Sequence, residues 1–296
     1  MTKTLESQDQ VQRFIFDQSA IRGELVTLHH AYQQAIATQQ LHPLASQLLG
    51  EFLAAVALLS GNLKFDGIIS LQARGDGPIP LIMAECTHQK DIRGIVRTSD
   101  KALDGLSLEN FPALIGTGVL FITIEPDKGE RYQGIVPLEG ASLAACIEDY
   151  FSQSEQLPTR VWLAADAESC GGLLLQVLPS MADAVGERDE YWELVSQLAG
   201  TLRRDELLHT EQETLLFRLF NETPVRLFPS GAVRFACSCS RSRSENALLS
   251  LGQLEVQELL AERDIITIDC EFCGQTYSFG EKDVAAIFSD GGGAIH

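Results

Sequence analysis

Hydrophobic positions in the first 179 residues follow one long helical pattern and several strand patterns. Apolar residues between positions 44 and 59 recur every three or four residues, which predicts a helix with a wide apolar face. Apolar runs bounded by glycine and proline predict strands at residues 67–74, 79–85, 118–125, 132–136 and 172–178. A short amphipathic helix is predicted over residues 143–151. Because few strands alternate one for one with helices, we expect an α+β fold, with a mixed sheet and helix core domain over residues 1–181.

The pattern changes at about residue 182. Residues 182–222 hold ten acidic and four basic side chains, a net charge of −6, while their apolar positions keep helical spacing. This predicts a charged, amphipathic helical linker over residues 182–232, whose apolar stripe must lie on another surface. Such stripes usually dock on a core, but the position between a large and a small domain leaves conditional docking open. The stripe consists of Val195, Leu198, Leu202, Leu215, Leu216 and Leu219.

The charge of the chain limits the partners that it can bind. The sequence has 22 Lys and Arg against 41 Asp and Glu, a net charge of −19. Such a surface repels phosphate backbones and anionic lipid headgroups, so we expect neither nucleic acid nor a membrane as a partner.

The N-terminal residues lack the apolar region of a secretory signal, and the longest uncharged apolar run, residues 52–59, is far shorter than the roughly 20 residues of a membrane span. We therefore expect a cytoplasmic protein with reduced thiols.

Four of the seven cysteines form two close pairs in a compact unit predicted over residues 233–290, which a frayed tail over residues 291–296 follows. In an extended segment, residues two positions apart point to the same face, so the sulfurs of Cys237 and Cys239 can reach one centre. A tight turn at Gly274 would bring the sulfurs of the second pair together. No histidine lies between His209 and His296, so an all-thiolate zinc site is predicted. The predicted zinc ligands are Cys237, Cys239, Cys270 and Cys273. The remaining cysteines stand singly in apolar or glycine-rich settings and are expected to be buried or incidental rather than nucleophiles: Cys86, Cys146 and Cys170.

The size of this unit makes a metal important for its stability. A domain of about 55 residues buries little apolar surface, and structural zinc supplies on the order of 10–16 kcal/mol in small peptides. Typical domains have a net stability of only about 5–15 kcal/mol, so the metal can decide whether the unit folds. Oxidation would remove the ligands, because a disulfide sulfur is no longer a thiolate. The spacing alone leaves both a static zinc ribbon and a redox switch open.

The residues around the cysteines match a known pattern that extends upstream. Residues 235–243 read FACSCSRSR, residues 269–277 read DCEFCGQTY, and residues 285–287 read AAI. The upstream segments are RGELVTL at 22–28, LKFDG at 63–67, GDGPI at 75–79, GERYQGIV at 129–136, LAACIEDYF at 143–151, EQLPT at 155–159 and GLLLQVLP at 172–179. Together these segments resemble a family of redox-switched heat-shock chaperones, the thirty-three-kilodalton chaperonins of bacteria, over nearly the whole chain.

The resemblance implies a function that the spacing leaves open. Family members bind one zinc ion per chain when reduced and are then largely inactive monomers. Oxidation forms two disulfides, releases the zinc and unfolds the small domain and the linker, and the protein, often a dimer, then holds unfolding proteins without ATP during oxidative and heat stress. Carried over to this chain, the disulfides are Cys237–Cys239 and Cys270–Cys273, the six stripe residues are candidates for client contact, and the protein is not an enzyme.

Two other functions compete with this one. A dithiol oxidoreductase could work through Cys270 and Cys273, but such motifs normally open a helix, and residues 274–279 predict a strand. A static zinc ribbon could recruit nucleic acid or a protein. Residues 233–296 carry five basic against ten acidic side chains, which disfavours nucleic acid and leaves protein docking as the alternative.

Overall fold

A computed structural model describes residues 9–17, 19–62, 66–99, 103–179 and 185–290 of the chain. Its mixture of sheets and helices confirms the expected α+β class. The chain divides into two compact units, Met1–Ala236 and Cys237–His296. Residues 63–65 of the LKFDG segment, residues 182–184 of the linker and the tail at 291–296 lie outside the described residues. The predicted domain boundaries at residues 181 and 232 stay predictions.

The first sheet of the first unit is antiparallel throughout. Its strands run in the order β10–β1–β2–β9–β8, and β11 also pairs with β1. The predicted strand at residues 172–178 is confirmed as β9, in which every residue is buried. The strand bounds are β1 (Gln10–Phe16), β2 (Ile21–Leu28), β8 (Thr159–Ala165), β9 (Cys170–Val177), β10 (Val225–Leu227) and β11 (Gly231–Ala232).

The second sheet contains both hairpins that the sequence predicts. Strands β3 and β4 pair with each other, as do β6 and β7, and the sheet order is β12–β5–β4–β3–β6–β7. All pairings are antiparallel except that of β12 with β5. The bounds are β3 (Gly67–Gly75), β4 (Leu81–Thr87), β5 (Asp91–Arg97), β6 (Gly118–Pro126), β7 (Tyr132–Pro137) and β12 (Arg234–Phe235).

The helix predicted over residues 44–59 forms the centre of the first unit as α2 (Pro43–Leu59). It begins after His42, whose side chain accepts a hydrogen bond from the backbone N–H of Leu44. It contacts strands of both sheets, and every residue from Phe52 to Leu59 is buried. The other helices of this region are α1 (His30–Ile36), α3 (Phe111–Ile115) and α4 (Leu143–Tyr150), the last of which confirms the prediction at residues 143–151.

Three further helices pack on the face of the first sheet that α2 does not cover. They are α5 (Val185–Gly200), α6 (Arg204–His209) and α7 (Gln212–Phe220), and they confirm the predicted helical pattern. Alternate residues of β9 face opposite sides, so Leu174 joins the core around α2 while Leu173 and Leu175 join the cluster beneath these helices. Of the six stripe residues, Val195, Leu215 and Leu216 are buried members of that second cluster, and Leu198, Leu202 and Leu219 are partly buried and pack against it.

The second unit combines a two-stranded hairpin with three helices. Its bounds are α8 (Arg241–Leu251), α9 (Gln253–Arg263), β13 (Ile266–Asp269), β14 (Thr276–Phe279) and α10 (Glu281–Asp290). Among the described residues, its buried apolar cluster consists of Leu248, Val256, Ile266, Phe279 and Val284. Within the ranges that the structure describes, every helix is too short or too polar to cross a lipid bilayer.

Candidate metal centre

The four cysteines predicted as ligands come together in the second unit. Their sulfur atoms all lie within 4.8 Å of one another. The Sγ atoms of Cys237 and Cys270 are 3.6 Å apart, and those of Cys239 and Cys273 are 3.4 Å apart. A tetrahedral zinc site with metal–sulfur bonds of about 2.3 Å has edges of about 3.8 Å. The four thiols are half-buried, and their arrangement fits a metal ion.

The second cysteine pair lies in the loop of the hairpin between β13 and β14. The backbone N–H of Cys270 donates to the carbonyl oxygen of Gln275 over 2.9 Å, and the N–H of Gly274 donates to the carbonyl of Cys270 over 2.8 Å. Gly274 has a φ of 69°, in the region that favours glycine, which confirms the expected turn. Backbone N–H groups of this loop also point at the sulfurs of Cys270 and Cys273.

The first cysteine pair is held by the start of α8. The hydroxyl oxygen of Ser240 accepts the N–H of Arg243 over 3.2 Å and so caps the helix. The Arg243 guanidinium in turn donates to the hydroxyl of Ser238, between the two cysteines, over 2.6 Å. The CxC segment is therefore held through Ser238, between the two cysteines, and through Ser240, directly after them.

Arg241 connects this segment to the rest of the second unit. Its guanidinium donates to the carbonyl of Ser278 over 3.0 Å and to the carboxylate of Asp283 over 2.6 Å. The same group lies over the Phe279 ring at 4.5 Å from the centroid. Sequence reasoning did not single out Arg241, although its place two residues after Cys239 could have drawn attention to it.

Burial disfavours the ionisation of the two hairpin cysteines, Cys270 and Cys273. Burial, followed by the hydrogen bonds of the neighbouring cysteines, raises the pKa of Cys273 to about 12 despite an opposing backbone N–H from Gln275. Burial also raises the pKa of Cys270. A thiophilic metal ion would supply the positive charge that allows all four sulfurs to be thiolates.

Tyr277 is a further residue at this site that sequence reasoning missed. Its hydroxyl donates a hydrogen bond to the Sγ of Cys239 over 3.2 Å. Its ring packs against the cluster that contains Phe279, two positions further along β14. The alternation in Thr276–Phe279 places both rings on one face, and this period-two pattern is the signal that could have identified Tyr277.

The three remaining cysteines have no part in this centre. Cys86, Cys146 and Cys170 are each 0% exposed, which confirms that they are buried. Burial raises the pKa of all three thiols, that of Cys86 to about 11. Because the thiolate is the nucleophilic form, these cysteines are protected from oxidation in the folded protein.

The predicted client-contact residues belong to the first unit, where they form part of an extensive interface with the sheet. The Phe220 ring of α7 lies 5.0 Å from Phe16 and 6.0 Å from Phe14, centroid to centroid. Both tryptophans, Trp162 and Trp192, pack against the same cluster.

Hydrogen bonds and ion pairs add to this interface, but some of its buried polar atoms lack a hydrogen-bond partner among the described residues. Arg204 donates to the carbonyl of Ala165 over 2.9 Å and lies 3.7 Å from the carboxylate of Glu51 in α2. His209 lies 3.0 Å from Asp166. Three buried side-chain oxygens of these helices have no hydrogen-bond partner in the described part of the chain: Tyr191 Oη, Ser196 Oγ and Gln212 Oε1.

Comparison with known proteins agrees with this architecture. The family model described as Hsp33 protein matches residues 9–280. The 33 kDa chaperonin of Pseudomonas paraeruginosa is 48% identical over 289 residues, covering 96% of each chain, and that of Azotobacter vinelandii is 49% identical over 288 residues, with the same coverage. The crystal structure of the 33 kDa chaperonin of Thermotoga maritima shares the fold, with a TM-score of 0.82 at 23% identity over 95% of this chain and 98% of that one. Because the family model and these relatives span nearly the whole sequence, the chain belongs to the Hsp33 family of 33 kDa chaperonins.

Proposed function

We propose that this protein is a redox-regulated chaperone that holds unfolding proteins without ATP during oxidative and heat stress. The observation that carries the proposal is the set of four cysteine sulfurs that lie within 4.8 Å of one another. In the reduced state, Cys237, Cys239, Cys270 and Cys273 hold one zinc ion per chain. The ion supplies positive charge and a link between two distant segments, and the chaperone is then inactive.

Loss of that link is proposed to unfold the second unit. Oxidation to the disulfides Cys237–Cys239 and Cys270–Cys273 consumes all four thiolates, and neither disulfide joins the CxC segment to the hairpin. Disulfides that close such short loops stabilise a fold very little. The remaining core is the small cluster around Phe279, which supports the inference that the unit unfolds once the metal leaves.

The linker, residues 182–232, is proposed to leave the sheet in the same transition. Among its described residues, Tyr191, Ser196 and Gln212 each bury an oxygen without a hydrogen-bond partner, and such groups weaken docking relative to what the apolar contacts alone suggest. Release would expose the stripe of Val195, Leu198, Leu202, Leu215, Leu216 and Leu219 together with Phe14 and Phe16 of the sheet. These side chains are the surface that we propose for unfolding proteins.

We also propose the partners, the oligomeric state and the cellular location of the chaperone. Its partners are unfolding proteins, its reduced form is a monomer and its oxidised form a dimer. It acts in the cytoplasm, catalyses no reaction, and needs neither nucleotide, nucleic acid nor membrane. The net charge of −19 supports the exclusion of polyanionic partners and keeps an unfolded, partly apolar linker in solution.

The decisive experiment follows zinc and chaperone activity in one sample. Reduced, zinc-loaded protein is treated with peroxide at elevated temperature, zinc release is read with a colorimetric chelator, and light scattering of a thermally unfolding client is recorded. We expect one zinc ion per chain to be released and scattering to fall only after release. Cys270→Ser should lose the zinc before oxidation, whereas Cys86→Ala, in the first unit, serves as the matched control and should retain it.

The alternatives give different outcomes in this experiment. A static zinc ribbon that docks on a protein would keep its zinc under mild peroxide, and its activity would not depend on oxidation. A dithiol oxidoreductase would reduce insulin. In the described residues, Cys273 leads through a turn into β14, so the helix N-terminus that activates such enzymes is absent there.

A further inference from the structure

Tyr277 links the metal centre to the apolar core of the second unit. It lies in β14 directly opposite Ile268 of β13, and its ring packs against the buried cluster. Its hydroxyl reaches out of that cluster and donates to the Sγ of Cys239 over 3.2 Å. One side chain therefore contacts both the apolar core and the sulfur of a single cysteine.

The kind of donor distinguishes Cys239 from the hairpin cysteines. The sulfur of Cys270 accepts backbone N–H groups of Phe272 and Cys273, and the sulfur of Cys273 accepts that of Gln275. Those donors belong to the turn and persist whatever side chains stand there. The donor to Cys239 is a side-chain hydroxyl, so replacing one residue removes it.

A hydrogen bond to a metal-bound thiolate lowers the reactivity of the sulfur. The metal already keeps the sulfur deprotonated, so the fraction of thiolate does not limit its reactivity. Its nucleophilicity does, and a phenolic donor draws negative charge away from the sulfur lone pairs. Less charge on the sulfur slows its attack on any electrophile, peroxide included.

The oxidation that this hydrogen bond would slow has two steps. The thiolate of Cys239 attacks one oxygen of hydrogen peroxide; an S–O bond forms, the O–O bond breaks, and the departing hydroxide takes up a proton to become water. The thiolate of Cys237 then attacks the sulfenic sulfur, forms the S–S bond and expels a second hydroxide. The two sulfurs together lose the two electrons that the peroxide gains.

We propose that Tyr277 is a positioning residue whose hydroxyl restrains Cys239 and sets the peroxide concentration at which the CxC pair leaves the metal. The proposal rests on the redox function proposed above. Oxidation of Cys239 would also affect the apolar core. Once Cys239 is oxidised, its thiolate no longer accepts the hydrogen bond, and the Tyr277 side chain loses the contact that holds it from outside the cluster.

The test removes the hydroxyl of Tyr277 and keeps its ring. In zinc-loaded Tyr277→Phe, we expect alkylation of Cys239 by N-ethylmaleimide to accelerate roughly two- to ten-fold, as quantified by peptide mass spectrometry, while alkylation of Cys270 changes less than about two-fold. In the Co²⁺-substituted protein, the thiolate-to-cobalt charge-transfer band should move to lower energy. Ser278→Ala is the matched control, because it removes a hydroxyl from the neighbouring, exposed position of the same strand.

Three results would overturn the proposal. The first is equal acceleration of alkylation at Cys239 and Cys270, which would indicate a loosened hairpin. The second is an unchanged alkylation rate at Cys239, and the third is a Tyr277→Phe protein that binds no metal. Alkylation and the cobalt spectrum require no chaperone activity. A failure of the proposed function therefore appears in the client assay, and a failure of the role of Tyr277 appears here.

Discussion

Glu51 is a carboxyl group inside the core of the first unit, on the buried helix α2. It is 8% exposed, and burial raises its pKa to about 7, against the opposing charge and hydrogen bond of Arg204. Glu24 of β2 is 2% exposed, and its pKa is likewise raised to about 7 by burial. Each group is a source of pH dependence in the first unit, separate from the four cysteines of the metal centre.

Replacing Glu51 should therefore change how stability depends on pH. Its pKa is about 7 in the folded protein and roughly 4.3 when unfolded, so the stability that its proton provides is complete below pH ~4.3 and lost as the pH rises through 7. Glu51→Gln mimics the protonated form, and we expect it to be the more stable protein at pH 8, by on the order of 3 kcal/mol, and equal at pH 4.

Unfolding of the first unit can be followed by tryptophan fluorescence, because Trp162 and Trp192 both lie in that unit. Denaturant titrations of the reduced, zinc-loaded protein at pH 5, 6, 7 and 8 supply the comparison. Glu24→Gln is the matched control, and it should remove a separate part of the pH dependence. A Glu51→Gln protein with the slope of the wild type would contradict the prediction.

The residues of the metal centre differ in how far the sequence could reveal them. The four cysteines and Gly274 could be predicted, because two short motifs contain all the information on their type and spacing. For Tyr277 and Arg241, the sequence indicates a face of a strand and a place near the CxC pair, but not the contacts that the two side chains make. Their contacts, to Cys239 and to Ser278, join residues 38 and 37 positions apart, and no local pattern specifies which side chains meet across such a distance.

At the scale of elements, the sequence predicts best where one pattern dominates. Helix α2 and the hairpins β3–β4 and β6–β7 follow clear helical or strand periodicity with turn residues between them. Strands β1 and β2 were not predicted. Strand β2 has apolar partners on both faces, with Val26 and Leu28 in the core around α2 and Ile21 and Leu25 in the cluster under the linker helices, so simple alternation of buried and exposed residues is lost.

Two phenylalanines of α7 allow the docking of the linker to be tested within one helix. Phe220 is 2% exposed and packs on Phe16, whereas Phe217 is 69% exposed. Truncating a buried phenylalanine costs roughly 3–5 kcal/mol, and exposed substitutions usually stay within about 0.5 kcal/mol. We expect Phe220→Ala to release the linker from the sheet in the reduced, zinc-loaded protein.

The release has two readouts. Tryptophan fluorescence should shift to longer wavelength in Phe220→Ala, because Trp162 and Trp192 lose the cluster that covers them. The same variant should suppress client aggregation without peroxide, while Phe217→Ala behaves as the wild type in both measurements. If Phe220→Ala keeps the linker docked, or if both variants gain activity alike, the stripe is not the element that controls client binding.

At the scale of the whole molecule, the two units depend on different interactions. The first unit has a large apolar core around α2 and a second cluster under the linker helices, and neither contains a cysteine of the metal centre. The second unit has a small cluster and four thiols that fit a metal. The sequence indicated this division by the clustering of cysteines, but the packing of the linker on the first unit required the structure.

Removing the metal without oxidation should therefore unfold one unit and leave the other folded. In the presence of a reductant and a strong chelator, we expect amide hydrogen exchange to lose protection across residues 241–290, because metal binding of on the order of 10–16 kcal/mol exceeds what so small a core supplies. Strands β2 and β9 and helix α2 should keep their protection, since their contacts involve no thiolate ligand. Adding back zinc should restore the lost protection, and Cys86→Ala should respond as the wild type. Equal protection of residues 241–290 with and without the metal would mean that the second unit folds on its own core, and metal release could then not be the step that starts the switch.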